Sequence, residues 1–531
     1  MRRTFVLRVL ALSVAGLLLA GCGGGEDTGN TLHRAVGPEP ESLDPHHSRT
    51  AQAQSVQRDL FEGLVAFSPS GDLVPGVAER WQLSDDGRRY TFELRRDARW
   101  SNGDAVTASD FVSSFRRLVD PATASFYAES LIDITNAQAI VNGTMPPDTL
   151  TVSAPGPHRL EIELERPVPY FLSLLAKPSA FPVHPPSVAL HGDSFARAGR
   201  LVSNGAYKLD DWQLGAVIDI SRNEHYWNNA ETAIDHVRHH VTVEPAAELF
   251  RYRAGELHIT STVPVEAYEQ VARERPDELR VAPQLGTYFY GLNLSREPFR
   301  DNPALRRALT MAIDRDVLAE KVIGRGELPA YSWVPPGTLD YEPPRMAFAD
   351  LPADERIAEA RRHYREAGYS DDNPVSVELR YNTSDTHQRI ALAVQSMWRD
   401  ALGFEATLIN EEFQVLVANM RAMEITEAFR LSWLGDYNDA YSFLSVFESD
   451  NPSNMYGYSS DRYDALLAEA AMQLDPDRRR DYLQQAEQLL LDDNPVIPLY
   501  FHVSKHLVSP RVAGWRDNVL DFHYSQHLSL R

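Results

Sequence analysis

The segment "FRLSWLGDYNDA", residues 429–440, carries two side chains that suit a ligand of mixed charge. Arg430 lies between apolar neighbours, and Asp436 follows Trp433, Leu434 and Gly435. The segment reads as a buried strand that leads into a turn, and a buried charge is costly unless it is paired. The two groups therefore pair with each other or with other protein groups, or they await a ligand that carries both signs. Asp436 as a simple turn residue and Arg430 as part of a structural ion pair stay open as alternatives.

Motifs for catalysis are weak in this sequence. The run "GDSF", residues 192–195, is faintly similar to the serine motif of some esterases, but Asp521 and His523 have the wrong spacing to complete such a site. No HExxH, GxxxxGK[ST] or GxGxxG pattern stands out. We therefore predict that the protein is not an enzyme, with a hydrolase as the alternative that measured turnover would reveal.

Two pairs of adjacent histidines are the candidates for metal binding, at residues 46–47 and 239–240. Neighbouring side chains in a strand point to opposite faces, so adjacent histidines do not converge on one ion. The sequence therefore predicts neither a metal site nor a cofactor.

The N-terminal run "MRRTFVLRVLALSVAGLLLAGC" has a basic start, an apolar stretch and small residues before Cys22. This pattern predicts a secretory signal over residues 1–21. The final "LAGC" resembles the lipobox of bacterial lipoproteins, in which cleavage precedes the cysteine and lipid is attached to it. Cys22, the only cysteine of the chain, is therefore the predicted lipidation site, and residues 22–30 form a flexible tether. An uncleaved membrane anchor is the alternative.

The formal net charge of −23 limits the classes of ligand that the protein can be expected to bind. So acidic a protein favours solubility and argues against nucleic acid or an anionic membrane surface as a ligand. No second apolar segment is long enough to cross a bilayer, so we expect membrane contact through the N-terminal lipid only.

The length of 531 residues exceeds one ordinary core and predicts two or three domains. Strand-like and helix-like segments alternate along the chain. Residues 88–95 alternate in the manner of a strand, and residues 107–119 open with a threonine cap and space their apolar residues as a helix does. The mixture predicts an α/β fold.

A long region, residues 73–125, resembles the signature region of the extracellular solute-binding proteins, family 5, of peptide and nickel ABC transporters. The resemblance covers essentially the whole mature chain, and it is most specific to the oligopeptide-binding members in "GELPAYSWVPP", "YNTSDTH" and "WLGDYND". The matching motifs, in order, are "RDLFEGL" (58–64), "RPVPYF" (166–171), "SNGAYKL" (203–209), "RNEHYWNNA" (222–230), "RYRAGEL" (251–257), "LRRALTMAIDRD" (305–316), "YNTSDTH" (381–387) and "DYNDA" (436–440).

The resemblance implies a two-lobed periplasmic-binding-protein fold (type II, cluster C) with an extra third domain. Lobe I would comprise residues 31–61, 185–285 and 504–531. The extra domain would be residues 62–184, and the second lobe residues 286–503. Closure of the lobes around hinges would trap the ligand.

The resemblance also implies how a peptide is held. Asp436 would accept the α-ammonium, Arg430 would pair with a peptide carboxylate, and Arg421 and His387 would be further cations for the carboxylate or the peptide. His387 as a helix cap and the aromatic residues as plain core are the alternatives. The remaining peptide-binding residues that it implies are Asn382, Trp433, Phe413, Tyr127 and Phe289.

Four positions depart from the pattern of the oligopeptide-binding members. Gly286 and Leu434 stand where some relatives have a disulfide, so that bridge is absent. Gly291 and Arg49 stand where relatives have acids. Both of the latter changes remove negative charge near the expected side-chain pockets, which puts a preference for basic peptides in doubt.

The sequence therefore predicts a lipid-anchored, periplasmic or cell-envelope component of an ABC importer, active in peptide transport. It would be a monomer that binds short peptides and delivers them to a permease of two transmembrane subunits plus ATPases. A sensor of cell-wall or signalling peptides is one alternative. Binding of nickel or haem on the same fold is another.

Overall fold

The computed structural model describes residues 30–370, 372–424 and 427–531. The predicted signal peptide, Cys22 and nearly all of the tether lie outside the described residues. None of the described helices combines the length and the hydropathy that a bilayer crossing requires.

A four-stranded sheet has the first strand of the described chain at one edge. Its first two strands are parallel and the other pairs are antiparallel. His239 is fully buried and His240 faces the opposite side, as expected for neighbours in a strand. The order of this sheet is Thr31–Gly37, His236–Val241, Val217–Arg222 and Tyr207–Gln213.

A second four-stranded sheet is antiparallel throughout. The predicted strand and helix in this region are confirmed as Arg89–Leu94 and Ala108–Val119. Thr107 caps the helix in a capping box with Asp110, which satisfies backbone N–H groups that the first turn leaves free. The order of this sheet is Ala78–Leu83, Arg89–Leu94, Arg159–Glu163 and Val152–Gly156.

A six-stranded mixed sheet carries most of the candidate site. Its two longest strands, Leu279–Leu292 and Val496–Leu507, pair antiparallel, with a break in register between Pro283 and Thr287. Two further pairs of short strands are Val65–Phe67 with Leu73–Pro75 and Val512–Ala513 with Ser529–Leu530. The order of the six strands is Leu328–Pro329, Val496–Leu507, Leu279–Leu292, Ala428–Leu434, Ser376–Asn382 and Glu405–Glu411.

Helices connect and cover the sheets, which confirms the α/β class. The run Leu318–Ile323 is a π-helix that continues a short α-helical turn. The α-helices of the described residues are Ala51–Leu60, Ala108–Val119, Ala137–Val141, Phe171–Leu175, Pro185–His191, Pro245–Arg253, Tyr268–Glu274, Pro303–Ala312, Arg315–Val317, Ala353–Glu366, Asp385–Leu402, Phe413–Arg421, Tyr441–Leu444, Asp461–Met472 and Pro476–Asp493.

Aromatic stacking joins two regions that are distant in sequence. The Tyr170 ring stacks on Tyr437 with centroids 4.6 Å apart, and on Tyr441 at 5.4 Å. This contact fixes the segment after Leu434 against the part of the chain that precedes residue 184. The boundaries of the three predicted domains stay a prediction.

Candidate ligand-binding cleft

A cavity of about 420 Å³ lies between segments that are far apart in the sequence. It is lined by the strand Thr31–Gly37, the helix Ala51–Leu60, residues 434–437 and residues 519–523. A volume of this size is typical of sites that enclose small ligands. The cavity is therefore the principal candidate for ligand binding.

Asp436 lines this cavity directly after the strand Ala428–Leu434. The Gly435 N–H donates to the Leu285 carbonyl at 3.0 Å, and the Asp436 N–H donates to the Ser442 hydroxyl at 2.8 Å. The carboxylate itself is exposed, and within the described parts of the chain it has no hydrogen bond or ion pair. The backbone hydrogen bonds thus fix the position of Asp436, while its carboxylate remains available to a ligand.

Asp439, three residues later, is the opposite case. Its two carboxylate oxygens accept hydrogen bonds from the two terminal nitrogens of Arg479, each at 2.8 Å. Both side chains are at least 86% buried. Asp439 is therefore a structural acid in the same turn. Its paired carboxylate provides a direct comparison for the unpaired carboxylate of Asp436.

Arg430 lies on a polar face of the six-stranded sheet. Its guanidinium donates to the Asn382 side-chain oxygen at 3.0 Å and to the Ser432 hydroxyl at 2.9 Å, and it stands 4.5 Å from the centre of the Tyr288 ring. The buried Nε has no acceptor, and no carboxylate pairs with Arg430 in the described chain. Arg430 is therefore positioned by neutral groups, but its charge is not compensated.

Two histidines adjoin Arg430 on this face. The Tyr288 hydroxyl lies 3.2 Å from His387 Nδ1, and the Ser432 hydroxyl lies 3.2 Å from His502 Nε2. Burial, with a smaller effect of the Arg430 charge, lowers the pKa of His387 to about 3 and the pKa of His502 to about 4. Both rings are consequently neutral near pH 7 in the ligand-free protein, and a role of His387 as a cation toward a bound carboxylate stays a prediction.

The structure does not support the helix-cap alternative for His387. The helix Asp385–Leu402 has Ser384 as its N-cap residue, and the imidazole bonds to Tyr288 instead of a helix N–H. His387 therefore serves as a neutral hydrogen-bonding group at the polar face.

Tyr127 lines the same cavity as Asp436. The Gln54 side chain donates to its hydroxyl at 3.2 Å, and Lys177 Nζ lies 5.3 Å from the ring centre. Burial is the main cause that raises the pKa of Tyr127, and the Asp436 charge contributes in the same direction. The structure thus brings Tyr127, Lys177 and Asp436 into one electrostatic environment.

Phe289 requires a correction. Its side chain is fully buried and packs against Trp333, with ring centroids 4.9 Å apart, and against Tyr456. It lies on the face of its strand opposite to Tyr288, because successive side chains alternate. Phe289 is therefore a core residue, and the expectation that it lines the ligand cavity is wrong.

The remaining predicted residues lie apart from the cavity. Trp433 is half-buried and donates its indole N–H to the Ser442 carbonyl at 2.9 Å. Phe413 begins the helix Phe413–Arg421 and is 43% exposed. Arg421 ends that helix, is exposed, and bonds to no residue in the described ranges. Their roles toward a peptide stay predictions.

The C-terminal segment contributes a group that sequence reasoning did not assign. His506 Nε2 and His523 Nε2 lie 2.8 and 3.1 Å from the same Asp521 oxygen, and all three residues line the cavity. Ligand atoms of the three are close enough to hold a metal ion. Asp521 instead already engages both rings. Burial opposes protonation of the two histidines and the Asp521 charge favours it, so that the pKa of His506 is raised and the pKa of His523 is lowered.

Arg58 and Lys177 are the other lining residues that the sequence analysis missed as binding groups. Arg58 stands in the "RDLFEGL" motif and Lys177 follows the "RPVPYF" motif, so both were within reach of the motif comparison. The sequence alone does not distinguish these two residues from ordinary surface Arg and Lys residues, because only the fold shows which of them form no ion pair with Asp or Glu.

Comparison with known proteins places the chain. The pattern of the bacterial extracellular solute-binding proteins, family 5 (middle region), matches residues 72–455. The periplasmic oligopeptide-binding protein OppA of Salmonella typhimurium is 39% identical over 488 residues, which cover 91% of this chain and 89% of OppA.

Solved structures agree with this match. The murein tripeptide-binding protein MppA in its unliganded open form has a TM-score of 0.88 at 36% identity, with 95% of this chain and 98% of MppA covered. OppA of Haemophilus influenzae in complex with the peptide RPPGFSPFR has a TM-score of 0.74 at 35% identity, with 95% and 99% covered. The two-lobed α/β binding fold and the resemblance found in the motifs are thereby confirmed. The chain belongs to the bacterial extracellular solute-binding proteins, family 5.

Proposed function

We propose that this protein captures short peptides between two lobes by their terminal charges and delivers them to an ABC permease. Relatives are named as periplasmic oligopeptide-binding or murein peptide-binding proteins, which supports a peptide ligand and a location in the periplasm or cell envelope. Solute-binding proteins of ABC transporters are not enzymes, so the prediction of no enzymatic activity is confirmed.

One observation carries the proposal: within the described residues, an acid and a base of the candidate site form no ion pair. Asp436 has no bond to its carboxylate, and Arg430 is held only by neutral acceptors and a ring. A peptide is a zwitterion, so it supplies an ammonium for Asp436 and a carboxylate for Arg430. Each contact would be a charge-assisted hydrogen bond, which is stronger than a neutral one.

Backbone groups would provide the rest of the affinity. Peptide N–H and C=O groups are the same in every sequence, so strand-like hydrogen bonds to them give affinity without reading side chains. This combination explains how one site accepts peptides of different sequence.

Closure of the lobes would bring the two charges to one ligand. The higher TM-score to the unliganded open MppA than to the OppA–peptide complex, at nearly equal identity, supports an open arrangement for this structure. In that arrangement Asp436 is hydrated. A closing movement would remove the water and strengthen its contact with an ammonium.

Two long strands are the proposed crossings between lobes. With lobe I as residues 31–61, 185–285 and 504–531, the chain passes to the second lobe within Leu279–Leu292 and returns within Val496–Leu507. The break in their pairing between Pro283 and Thr287 lies at this boundary. A local loss of ladder hydrogen bonds lets the backbone bend there, as a hinge requires.

A thermal-shift panel tests the peptide assignment. The panel contains tri- to pentapeptides of varied composition, each as a free peptide, as its N-acetyl form and as its C-terminal amide. We expect several unrelated free peptides to stabilise the protein, by about 2.7 kcal/mol at a hundredfold excess over Kd. Both blocked forms should stabilise it less. Absence of any response to peptides, together with stabilisation by nickel or haem, would contradict the proposal.

A sensor of cell-wall or signalling peptides would use the same site, so binding assays do not separate it from an importer. Growth of a deletion strain on peptides as the sole source of a required amino acid separates the two. Loss of growth indicates uptake, whereas unchanged growth with an altered cell-wall or signalling response indicates sensing.

Attachment through lipid on Cys22 is the remaining part of the proposal, supported by the "LAGC" sequence. The Cys22→Ser protein should be released from the membrane fraction or retain its signal peptide. Cell fractionation with immunoblotting measures both, and the wild type provides the control. A processed Cys22→Ser protein that still fractionates with membranes would contradict lipid attachment.

A further inference from the structure

The cavity differs in charge from the protein that contains it. The chain has 75 acidic and 52 basic residues, yet its cavity is lined by four Arg or Lys side chains and two carboxylates. One of the carboxylates, Asp521, is engaged by two histidines, which leaves Asp436 as the free acid of the lining. The four cations are Arg34, Arg49, Arg58 and Lys177.

Arg34 is accounted for by the protein itself. Its guanidinium donates to the His523 carbonyl at 2.8 Å and to the Ser525 hydroxyl at 2.9 Å, and it stands 4.0 Å from Asp59. Arg49 is exposed and lies against the Phe126 ring. The two cations that remain, Arg58 and Lys177, are the unexplained ones.

Arg58 carries a buried guanidinium. Its exposure is 7%, its Cζ atom lies 3.5 Å from the centre of the Phe522 ring, and its buried Nε has no acceptor in the described chain. Burial lowers the pKa of Arg58 to about 10, although the Asp521 and Asp59 charges act in the opposite direction. Burial of an unpaired cation is costly, and ring stacking recovers only part of that cost. An arrangement of this kind is typical of a group that awaits an anion.

Lys177 is the second such group. It is half-buried, and within the described ranges its ammonium has neither a hydrogen bond nor an ion pair, only the Tyr127 ring at 5.3 Å. Burial lowers the pKa of Lys177, the Asp436 charge opposes this change, and the Arg58 charge adds to it. Lys177 is thus close enough to both charged groups to be influenced by each.

We propose that Arg58 and Lys177 form an anion subsite beside Asp436, which accepts the side-chain carboxylate of an acidic residue at the first or second position of the bound peptide. Asp436 would hold the α-ammonium, so the residues next to that ammonium reach the two cations. This subsite rests on the proposed function and specifies its ligand class as peptides with an acidic amino-terminal half.

The charge of Arg49 agrees with this assignment. Arg49 adds a positive charge at the cavity lining, where an acid would repel the incoming carboxylate. A basic side chain at the same peptide position would instead meet like charges, which lowers affinity and gives selectivity.

Matched peptides test the subsite by calorimetry. The pairs are Ala-Glu-Ala against Ala-Gln-Ala and Asp-Ala-Ala against Asn-Ala-Ala, so each pair differs by one carboxylate and keeps both termini. We expect the acidic member of at least one pair to bind about tenfold more tightly, and Ala-Lys-Ala to bind more weakly than Ala-Gln-Ala. The Lys177→Met protein should lose most of the preference, measured as the ratio of the two dissociation constants within each pair.

The outcomes separate the subsite from the function on which it rests. Equal binding of both members of each pair, with loss of affinity on N-acetylation, would overturn the subsite and leave peptide capture intact. Failure of all of these tripeptides to bind would contradict both. Retention of the full preference in Lys177→Met and in Arg58→Met, each checked for folding by circular dichroism, would overturn the assignment of these residues. Tight binding of inorganic phosphate without any preference between the peptide pairs would indicate a site for free anions and overturn the proposal.

Discussion

Two charged side chains near the strand Ala428–Leu434 are held in different ways. One lies on the polar face of the strand, and the other lies in the turn that follows it. On the face, Arg430 is positioned by Asn382, Ser432 and Tyr288. In the turn, the backbone of Asp436 is held by Ser442, while its side chain is exposed and bonds to none of the described residues. The base is thus preorganised before a ligand arrives, whereas the acid becomes organised by the ligand and by closure.

Preorganisation determines where binding energy is gained. A group already fixed by the protein loses little freedom when the ligand arrives, so its contact contributes most of its strength to affinity. A hydrated group must first lose its water, and its contribution grows as closure excludes solvent. Substitutions on the two sides should therefore have different effects on stability and on binding.

Loss of the Asp439–Arg479 pair should give the largest effect, and it concerns stability. Asp439→Ala leaves a buried guanidinium without its carboxylate, which typically costs about 3–5 kcal/mol. Urea unfolding should show a lower midpoint with an unchanged slope. The matched control is Asp436→Ala, which should unfold as the wild type does. Equal destabilisation by both would contradict the distinction between the two acids of the turn.

Loss of Asp436 should have the next largest effect, and it concerns binding. Removal of one partner of a desolvated charge pair costs on the order of 2–5 kcal/mol. Asp436→Ala should therefore weaken the binding of a free tripeptide at least about thirtyfold, since 1.4 kcal/mol corresponds to about tenfold.

A double cycle identifies the end of the peptide that Asp436 contacts. Calorimetry on wild type and Asp436→Ala, each with free and N-acetylated peptide, should show that acetylation weakens the wild type strongly and the variant little. Additive losses would mean that Asp436 does not contact the amino end of the peptide.

The comparison also shows what the sequence can and cannot predict. The family, the α/β class and the helix Ala108–Val119 follow from motifs and periodicity. The states of Asp436 and Asp439 do not, because both are aspartates of one turn and the partner that distinguishes them, Arg479, is 40 residues away. Tertiary contacts decide which acid is free.

The correction at Phe289 has a related physical cause. The run "TYFYGL" is apolar or aromatic on both faces of its strand, so alternation says that Tyr288 and Phe289 point in opposite directions without saying which face meets the ligand. Arg430 and Ser432, which pair with this strand, mark the polar face in the structure. The sequence also predicts that the neighbouring strand, Ala428–Leu434, is buried. In the structure only its first two residues, Ala428 and Phe429, are buried.

Removal of the Arg430 charge should have a moderate effect, visible in pH dependence. The pKa values of His387 and His502 lie at about 3 and 4, below the usual value for histidine. A folded-state pKa that is lowered gives stability that is present above the unfolded pKa of about 6.5 and is lost as the pH falls toward the folded value. Arg430→Met should raise both folded pKa values, and so flatten the loss of stability between pH 6.5 and pH 4.

Proton NMR titration of the two imidazoles and urea unfolding at several pH values measure this change. Asp436→Ala is the control, because Asp436 is not among the charges that affect either histidine. Unchanged histidine pKa values in Arg430→Met would mean that burial alone sets them and that the guanidinium is screened from the polar face.

Substitution of Arg421 should have the smallest effect, and it tests how far the family resemblance extends to individual residues. The resemblance assigns Arg421 to the peptide, but in the structure this side chain is exposed at the end of the helix Phe413–Arg421, without a bond to any described residue. Exposed substitutions away from special contacts change stability by no more than about 0.5 kcal/mol. Arg421→Ala should also change tripeptide affinity by less than about twofold, because Arg430 supplies the preorganised charge for the carboxylate. Calorimetry with a tripeptide and a pentapeptide measures this directly. A loss of tenfold or more for either peptide would show that closure carries Arg421 to the ligand, and that the base of this site is shared between the sheet and the helix.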